Sequence, residues 1–181
     1  FMQIKNKKKL IIICLLSLFL FNLNLSADEF DISAKEVTID NKNQILVGKG
    51  SVLAQDSEGK RIYADKITYE KSKEFLLAEG EVKIADKDGN ILKADKATYD
   101  KINEKIVTYN NTEVMLKEGY KLVSKNIAYD IIKKILHSSE KSIFTDSDKN
   151  IIETTMFQYD IKNNLFSSLG KIKILDINNN K

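Results

Sequence analysis

Few side chains in this sequence could do covalent or metal chemistry. Its 181 residues include one histidine, His137, and one cysteine, Cys14. A single cysteine excludes an internal disulfide framework and a thiolate zinc cluster. A single histidine excludes multi-histidine metal sites and leaves most nucleophile–base pairs without their base. His137 shares a register column with Val47, Leu77, Val107 and Ser167, on the face opposite Leu136, and reads as an ordinary surface residue. Asp86-Lys87-Asp88-Gly89-Asn90 has a fragment of calcium-loop spacing without the flanking helices or distal glutamate, so a hairpin turn is expected there. Asn110-Asn111-Thr112 matches a glycosylation sequon, which means little outside a eukaryotic secretory pathway. Phosphate-loop, zinc-spacing and nucleophile-elbow motifs are missing. The expectation is no catalytic residue, no metal and no cofactor. What remains is the chemistry of surfaces: apolar faces, turns and strand edges.

The charge balance points the same way once the first segment is set apart. Lys5, Lys7, Lys8 and Lys9 precede the apolar run Leu10 to Phe21, and Leu25-Ser26-Ala27 supplies a small-residue cleavage site. Residues 1–27 therefore read as a signal peptide, with an apolar run too short to span a bilayer comfortably. Cys14 lies inside that run. The whole chain carries 29 basic and 26 acidic side chains, net +3. Without the four lysines of the signal, 25 basic residues face 26 acidic ones, net −1. A near-neutral exported chain has no electrostatic reason to bind nucleic acid. Phe1 ahead of Met2 suggests a fragment of a longer protein.

The elements follow from a repeat of thirty residues. Tyr69, Tyr99, Tyr129 and Tyr159 keep this spacing, with Ile39 in the preceding place, and each is followed by an acid. Gly50, Gly80 and Gly170 share another column, in which Asn110 and Glu140 fill the gaps; Gly59, Gly89 and Gly119 share a third. Each unit has two arms. The first alternates, as in Leu76, Ala78, Gly80, Val82 and Ile84, which marks a half-buried strand. The second, as in Leu92, Ala94, Ala97 and Tyr99, switches parity at Asp95-Lys96 and so needs a bulge or bend there; the switch recurs at Asp65-Lys66 and Lys125-Asn126. Residues 28–181 are thus expected to form one all-β domain of 30-residue two-strand units, about nine antiparallel strands in all. Phe30 to Asp40 is a second arm without its first, and Leu165 to Leu175 a first arm without its second, so the domain reads as truncated at its C-terminal end.

Large inward residues alternate with small ones such as Gly48, Ala78, Thr108 and Ser138. Such columns either interdigitate into a closed core or leave an elongated apolar trough. The open ends are unpaired strand edges that can template pairing with another chain, and Phe30, Ile32, Ala34, Val37 and Ile39 lie on the first of them.

Two kinds of segment carry a family likeness. One is Tyr63-Ala64-Asp65-Lys66-Ile67-Thr68-Tyr69 with Leu92-Lys93-Ala94-Asp95-Lys96-Ala97-Thr98-Tyr99; the other is Val47-Gly48-Lys49-Gly50-Ser51-Val52 with Ala78-Glu79-Gly80-Glu81-Val82-Lys83-Ile84. The chain resembles the OstA-like (organic solvent tolerance) domain family of the lipopolysaccharide transport system, over residues 28 to 175 and most clearly over 36 to 100. The resemblance implies a repetitive antiparallel β-taco, or partly open β-jellyroll, whose interior cradles lipid A acyl chains. It implies carriers and scaffolds rather than enzymes, working in the periplasm of a Gram-negative bacterium and joined edge to edge into a bridge between membranes. Lipid contact would then fall on the inward columns Leu46, Val52, Ile62, Ile67, Tyr69, Leu76, Val82, Ile84, Leu92, Tyr99, Ile106, Val114, Leu122 and Tyr129. Implied partners are lipopolysaccharide and other OstA-like domains. The fragment signs favour the N-terminal periplasmic part of the family's outer-membrane assembly member, which adds an outer-membrane lipoprotein partner; the stand-alone periplasmic carrier is next. The competing class is a structural or adhesive β-solenoid with a packed interior and no ligand.

Overall fold

Alternating apolar and polar side chains make each arm a strand with one face for the interior and one for water. The computed structural model describes residues 30–175. The signal-peptide reading of residues 1–27 and the turn reading of residues 176–181 lie outside them. Ten arms follow one another, one more than expected. Four run unbroken: β3 (Ile45–Gln55), β4 (Arg61–Glu70), β5 (Phe75–Ala85) and β6 (Ile91–Asp100). The others are each interrupted midway. They give β1 (Asp31–Ser33) and β2 (Glu36–Asp40), then β7 (Lys105–Tyr109) and β8 (Thr112–Met115), β9 (Lys121–Ser124) and β10 (Ala128–Asp130). The series ends with β11 (Ile135–Ser138) and β12 (Ser142–Thr145), β13 (Ile151–Thr154) and β14 (Phe157–Asp160), β15 (Leu165–Ser168) and β16 (Ile172–Leu175).

Every pairing is antiparallel, and the sixteen strands form one folded sheet. The midpoint of each arm is a corner that divides the sheet into two ladders. The tyrosine ladder runs β2-β3-β4-β5-β6-β7-β10-β11-β14-β15; the hairpin ladder runs β1-β3-β4-β5-β6-β8-β9-β12-β13-β16. The ladders close on each other like the halves of a taco. Phe144 of β12 meets Tyr159 of β14 and Phe166 of β15 across the interior, at ring-centroid distances of 5.6 and 4.6 Å. Buried residues from Phe30 to Tyr159 form one continuous apolar cluster. The expected all-β taco is therefore the observed fold.

The corner differs in detail from the sequence reading. Lys49 pairs with Lys66 and Val52 with Ala64, so Gly50 and Ser51 together oppose Asp65 alone. Gly80 and Glu81 likewise oppose Asp95. The extra residue thus sits in the first arm, where unbroken alternation was expected, and Gly80 is a corner residue rather than a core one. Both members of each pair take positive φ: 77° and 50° at Gly50 and Ser51, 78° and 44° at Gly80 and Glu81. A pair of residues spent on the corner restores the parity, which is why the alternation looked continuous. Gly80 is required there, since an added Cβ would lie 2.9 Å from the Cβ of Asp65.

The turns are built from side-chain caps. Asp100 accepts hydrogen bonds from the Asn103 amide (3.0 Å) and side chain (2.8 Å), and these hold its carboxyl below the usual aspartate range. Asp40 and Asp160 repeat the motif with Asn43 and Asn163. In the hairpin ladder, Asp86 accepts from the backbone amides of Asp88 and Asn90 at 2.9 Å each, so one of its carboxylate oxygens caps a hairpin turn.

Candidate functional site

The inward columns do meet in one interior. Of the fourteen positions named above for lipid contact, twelve are buried, while Leu46 and Tyr129 are half-buried. Ile62, Ile67 and Leu122 have no exposed surface. Packing is tight through most of the length, with small Ala78 and Ala97 directly paired across β5 and β6.

One cavity of about 90 Å³ opens at the rim near the middle of the molecule. Ile84, Leu92 and Val114 of the hairpin ladder and Ile106, Tyr129 and Leu136 of the tyrosine ladder form its walls. Ile91, Lys60 and Asn90 also contribute, as do Leu116, Ile131 and Ile161, and these last three were not singled out from sequence. A signal for them exists: Leu116 replaces the acid found at Asp56, Asp86 and Asp146, and Ile131 and Ile161 replace polar Asn41, Lys71 and Lys101. Turn columns become apolar where they overhang the cavity. Glu58, Asp86, Asp88, Lys87 and Lys134 ring the mouth.

Two side-chain bridges close the rim on either side of this mouth. Towards the N-terminal half, the Lys60 ammonium donates to the Tyr99 hydroxyl (2.7 Å) and pairs with Asp56 at 3.2 Å and Glu104 at 3.7 Å. It also lies 4.2 Å from the centre of the Tyr99 ring. Tyr99 in turn donates to Glu104 at 2.7 Å. Burial first, and then Glu104, push the Tyr99 hydroxyl well above the ordinary tyrosine value. Lys60 and Asp56 are both buried, and each satisfies the other's charge.

Towards the C-terminal half, the Tyr159 hydroxyl donates to Asn164 Oδ1 at 2.6 Å, and Asn164 Nδ2 donates to the Tyr120 hydroxyl at 2.9 Å. Tyr120 stacks on Phe144 at 5.6 Å. Tyr129, between the two bridges, faces the cavity, where burial pushes its hydroxyl up to about 12, with Asp86 and Asp88 adding to the effect. None of these bridges was legible in the sequence, because their members lie up to 44 positions apart and meet only when the ladders close.

The edge residues divide. Phe30 turns inward, 7% exposed, with its ring edge-on to Tyr69 at 5.5 Å and Tyr99 at 5.8 Å. Ile32 and Ala34 pack partly against the core. Val37 and Ile39 are exposed on β2, which pairs only with β3 among the described residues. At the other end, Leu165, Ile172 and Ile174 are exposed on β15 and β16. His137 is an exposed residue of β11 on the outer face, paired with Ala128 and Gln158.

The chain matches no family model and no curated protein. Among solved structures it is similar to the crystal structure of LptH, the LptA homologous periplasmic component of the conserved lipopolysaccharide transport device from Pseudomonas aeruginosa. Identity is 14%, the match covers 81% of this chain and 94% of LptH, and the TM-score is 0.38. No helix among the described residues is long and apolar enough to cross a membrane.

Proposed function

We propose that this chain is an OstA-like lipopolysaccharide-transport domain that cradles lipid A acyl chains between its ladders. One observation carries the reading: the continuous apolar interior reaches solvent as an apolar cavity at the rim, with a polar mouth. An apolar slot with a polar lip suits an amphipathic ligand, chains inside and headgroup outside. The domain would act in the periplasm, pairing with other OstA-like domains through its open edges. Within the family, the two candidates are the N-terminal periplasmic part of LptD, at the outer membrane with a lipoprotein partner, and a stand-alone LptA-like carrier. Sequence downstream of Lys181 decides between them: a barrel-coding extension means LptD, a stop codon means LptA-like.

A second reading, a structural β-solenoid without ligand, draws on the tightness of the interior. A cavity of about 90 Å³ is well below the roughly 300–1,000 Å³ of ordinary ligand sites. The carrier reading therefore requires the ladders to part. Photo-crosslinking separates the two. A photoreactive residue at Leu92, which lines the cavity, should capture lipopolysaccharide, whereas one at exposed Lys93 should not. Equal labelling at both positions would sink the carrier reading.

A further inference from the structure

We propose that the C-terminal half of the taco is the moving part: its ladders part about a hydroxyl-lined spine while the N-terminal half stays clamped. The proposal rests on the carrier reading for its purpose, but not for its test. Between residues 45 and 100, β3, β4, β5 and β6 each run through the corner unbroken, tying one ladder to the other by continuous strand. Beyond residue 100 every arm stops at the corner and restarts, from β7 and β8 to β15 and β16. The termini of elements are where a hinge places its φ and ψ changes.

The spine differs in chemistry as well. In the N-terminal half the corner is packed with Gly48, Ala64, Ala78, Ala94 and Ala97. In the C-terminal half hydroxyls take over. Thr112 donates to Thr108 at 2.8 Å, Ser142 to Ser124 at 2.9 Å, Ser124 and Ser138 share a bond of 3.0 Å, and Thr154 and Ser168 one of 2.7 Å. Hydroxyls rotate to suit a new partner, so a chain of them tolerates a change of angle that close-packed alanines do not.

The two rim bridges carry the same asymmetry. Parting the ladders at Lys60 would pull its buried ammonium away from the Tyr99 hydroxyl and ring and from the Glu104 carboxylate, leaving Asp56 of its own turn as its remaining partner, so a charged network is broken. Parting them at Tyr120 breaks one exposed, uncharged hydrogen bond to Asn164 and slides Tyr120 and Phe144 off Tyr159 and Phe166, contacts that an acyl chain can replace and that leave no charge unpaired. That bond is the clasp. The cavity sits at the boundary of the halves, and Ile106, Val114, Leu116, Tyr129 and Leu136 belong to the half that moves, so opening would widen this same cavity.

The test is amide hydrogen exchange on the full chain without ligand, comparing Tyr120→Phe and Asn164→Gly with the parent; the first removes the clasp hydroxyl and the second the clasp donor without strain at the positive φ of Asn164. Each change should speed exchange in β9 to β14 roughly fivefold, the effect of one net hydrogen bond, and leave β3 to β6 unchanged. Acceleration spread equally over both halves, or absent from both, overturns the proposal. A second arm uses Tyr120→Cys with Asn164→Cys in a Cys14→Ser background, joined by a short bifunctional thiol reagent. The bridged protein should exchange more slowly in β9 to β14 than the unbridged one and take up a dansyl-labelled saturated fatty acid at least tenfold more slowly; equal exchange in the two again overturns the hinge. Should the fatty acid bind neither form, the carrier reading falls, while the exchange data still decide the hinge.

Discussion

The two halves of this molecule solve one problem twice. Both must turn the chain through a corner at the midpoint of every arm while keeping its apolar face inside. Residues 45–100 do it with paired left-handed residues at Gly50-Ser51 and Gly80-Glu81, which keep the strands whole. Residues 101–175 begin the same way at Asn110 and Asn111, whose φ values are 59° and 45°, and then abandon it: among the described residues, Ser139 and Glu140 do not take positive φ. There the strands simply stop, and hydroxyl and backbone hydrogen bonds satisfy the groups that the break exposes. The lesson is that register and corner are separable. A thirty-residue spacing sets which side chains point inward, but whether the strand survives the corner depends on the backbone angles taken there: Gly50 and Gly80 turn left-handed in unbroken arms, whereas Gly170, in the same column, does not and its arm breaks.

The sharpest way to break this comparison is at the rim. Lys60→Ala should destabilise the protein by about 3–5 kcal/mol, because Asp56 is left charged and buried. Tyr120→Phe should cost about 1 kcal/mol or less, as the one bond it removes, to Asn164, is exposed. Urea unfolding measures both, and comparable losses would erase the distinction between clamp and clasp. Next come the corners. Gly80→Ala should cost about 2 kcal/mol, combining left-handed strain with displacement of Asp65. The equivalent region of the C-terminal half should be indifferent, with Ser139→Ala within about 0.5 kcal/mol. A reciprocal exchange probes the spine. Ser124→Ala leaves the Ser138 and Ser142 hydroxyls short of a partner and should cost about 1–2 kcal/mol. Ala94→Ser, thirty positions earlier, should cost a similar amount by burying a new hydroxyl where no chain of hydroxyls exists to receive it.

The smallest effect lies at high pH. Tyr129 and Tyr159 are both pushed up to about 12, chiefly by burial. Unfolded tyrosines ionise near their ordinary value of about 10, so between there and about 12 the folded chain holds more protons. Stability is therefore full below pH 10 and falls as pH rises through 12. Phenolate absorbance should show Tyr159 of the C-terminal half ionising before the more strongly shifted Tyr99 of the N-terminal half; the reverse order would contradict the tighter N-terminal clamp.

Much of this was legible in the chain before folding. Tyr69, Tyr99, Tyr129 and Tyr159 fixed the repeat, and parity placed Ile62, Ile67, Leu92 and Leu122 inside, because a strand offers only two faces. The parity switch at Asp95-Lys96 marked the corner, but the extra residue of the facing arm was hidden, since the pair Gly80-Glu81 leaves parity untouched. The interruptions beyond residue 100 were hidden for a related reason. Asn110 and Glu140 were visible as gaps in a glycine column, but what a gap does depends on backbone angles that the pattern does not carry. The bridges at Lys60 and Asn164 were out of reach altogether, because their partners belong to the opposite ladder.

The paired corner has a consequence for how such a chain can change length. Adding or removing two residues at Gly80-Glu81 leaves Val82 and Ile84 facing the interior. Adding or removing one turns both to water and brings Glu81 or Lys83 in. The corner of the first arm thus acts as a reading frame with a step of two, whereas the facing arm turns on Asp95 alone and shifts frame by one to keep Ala97 and Tyr99 inside.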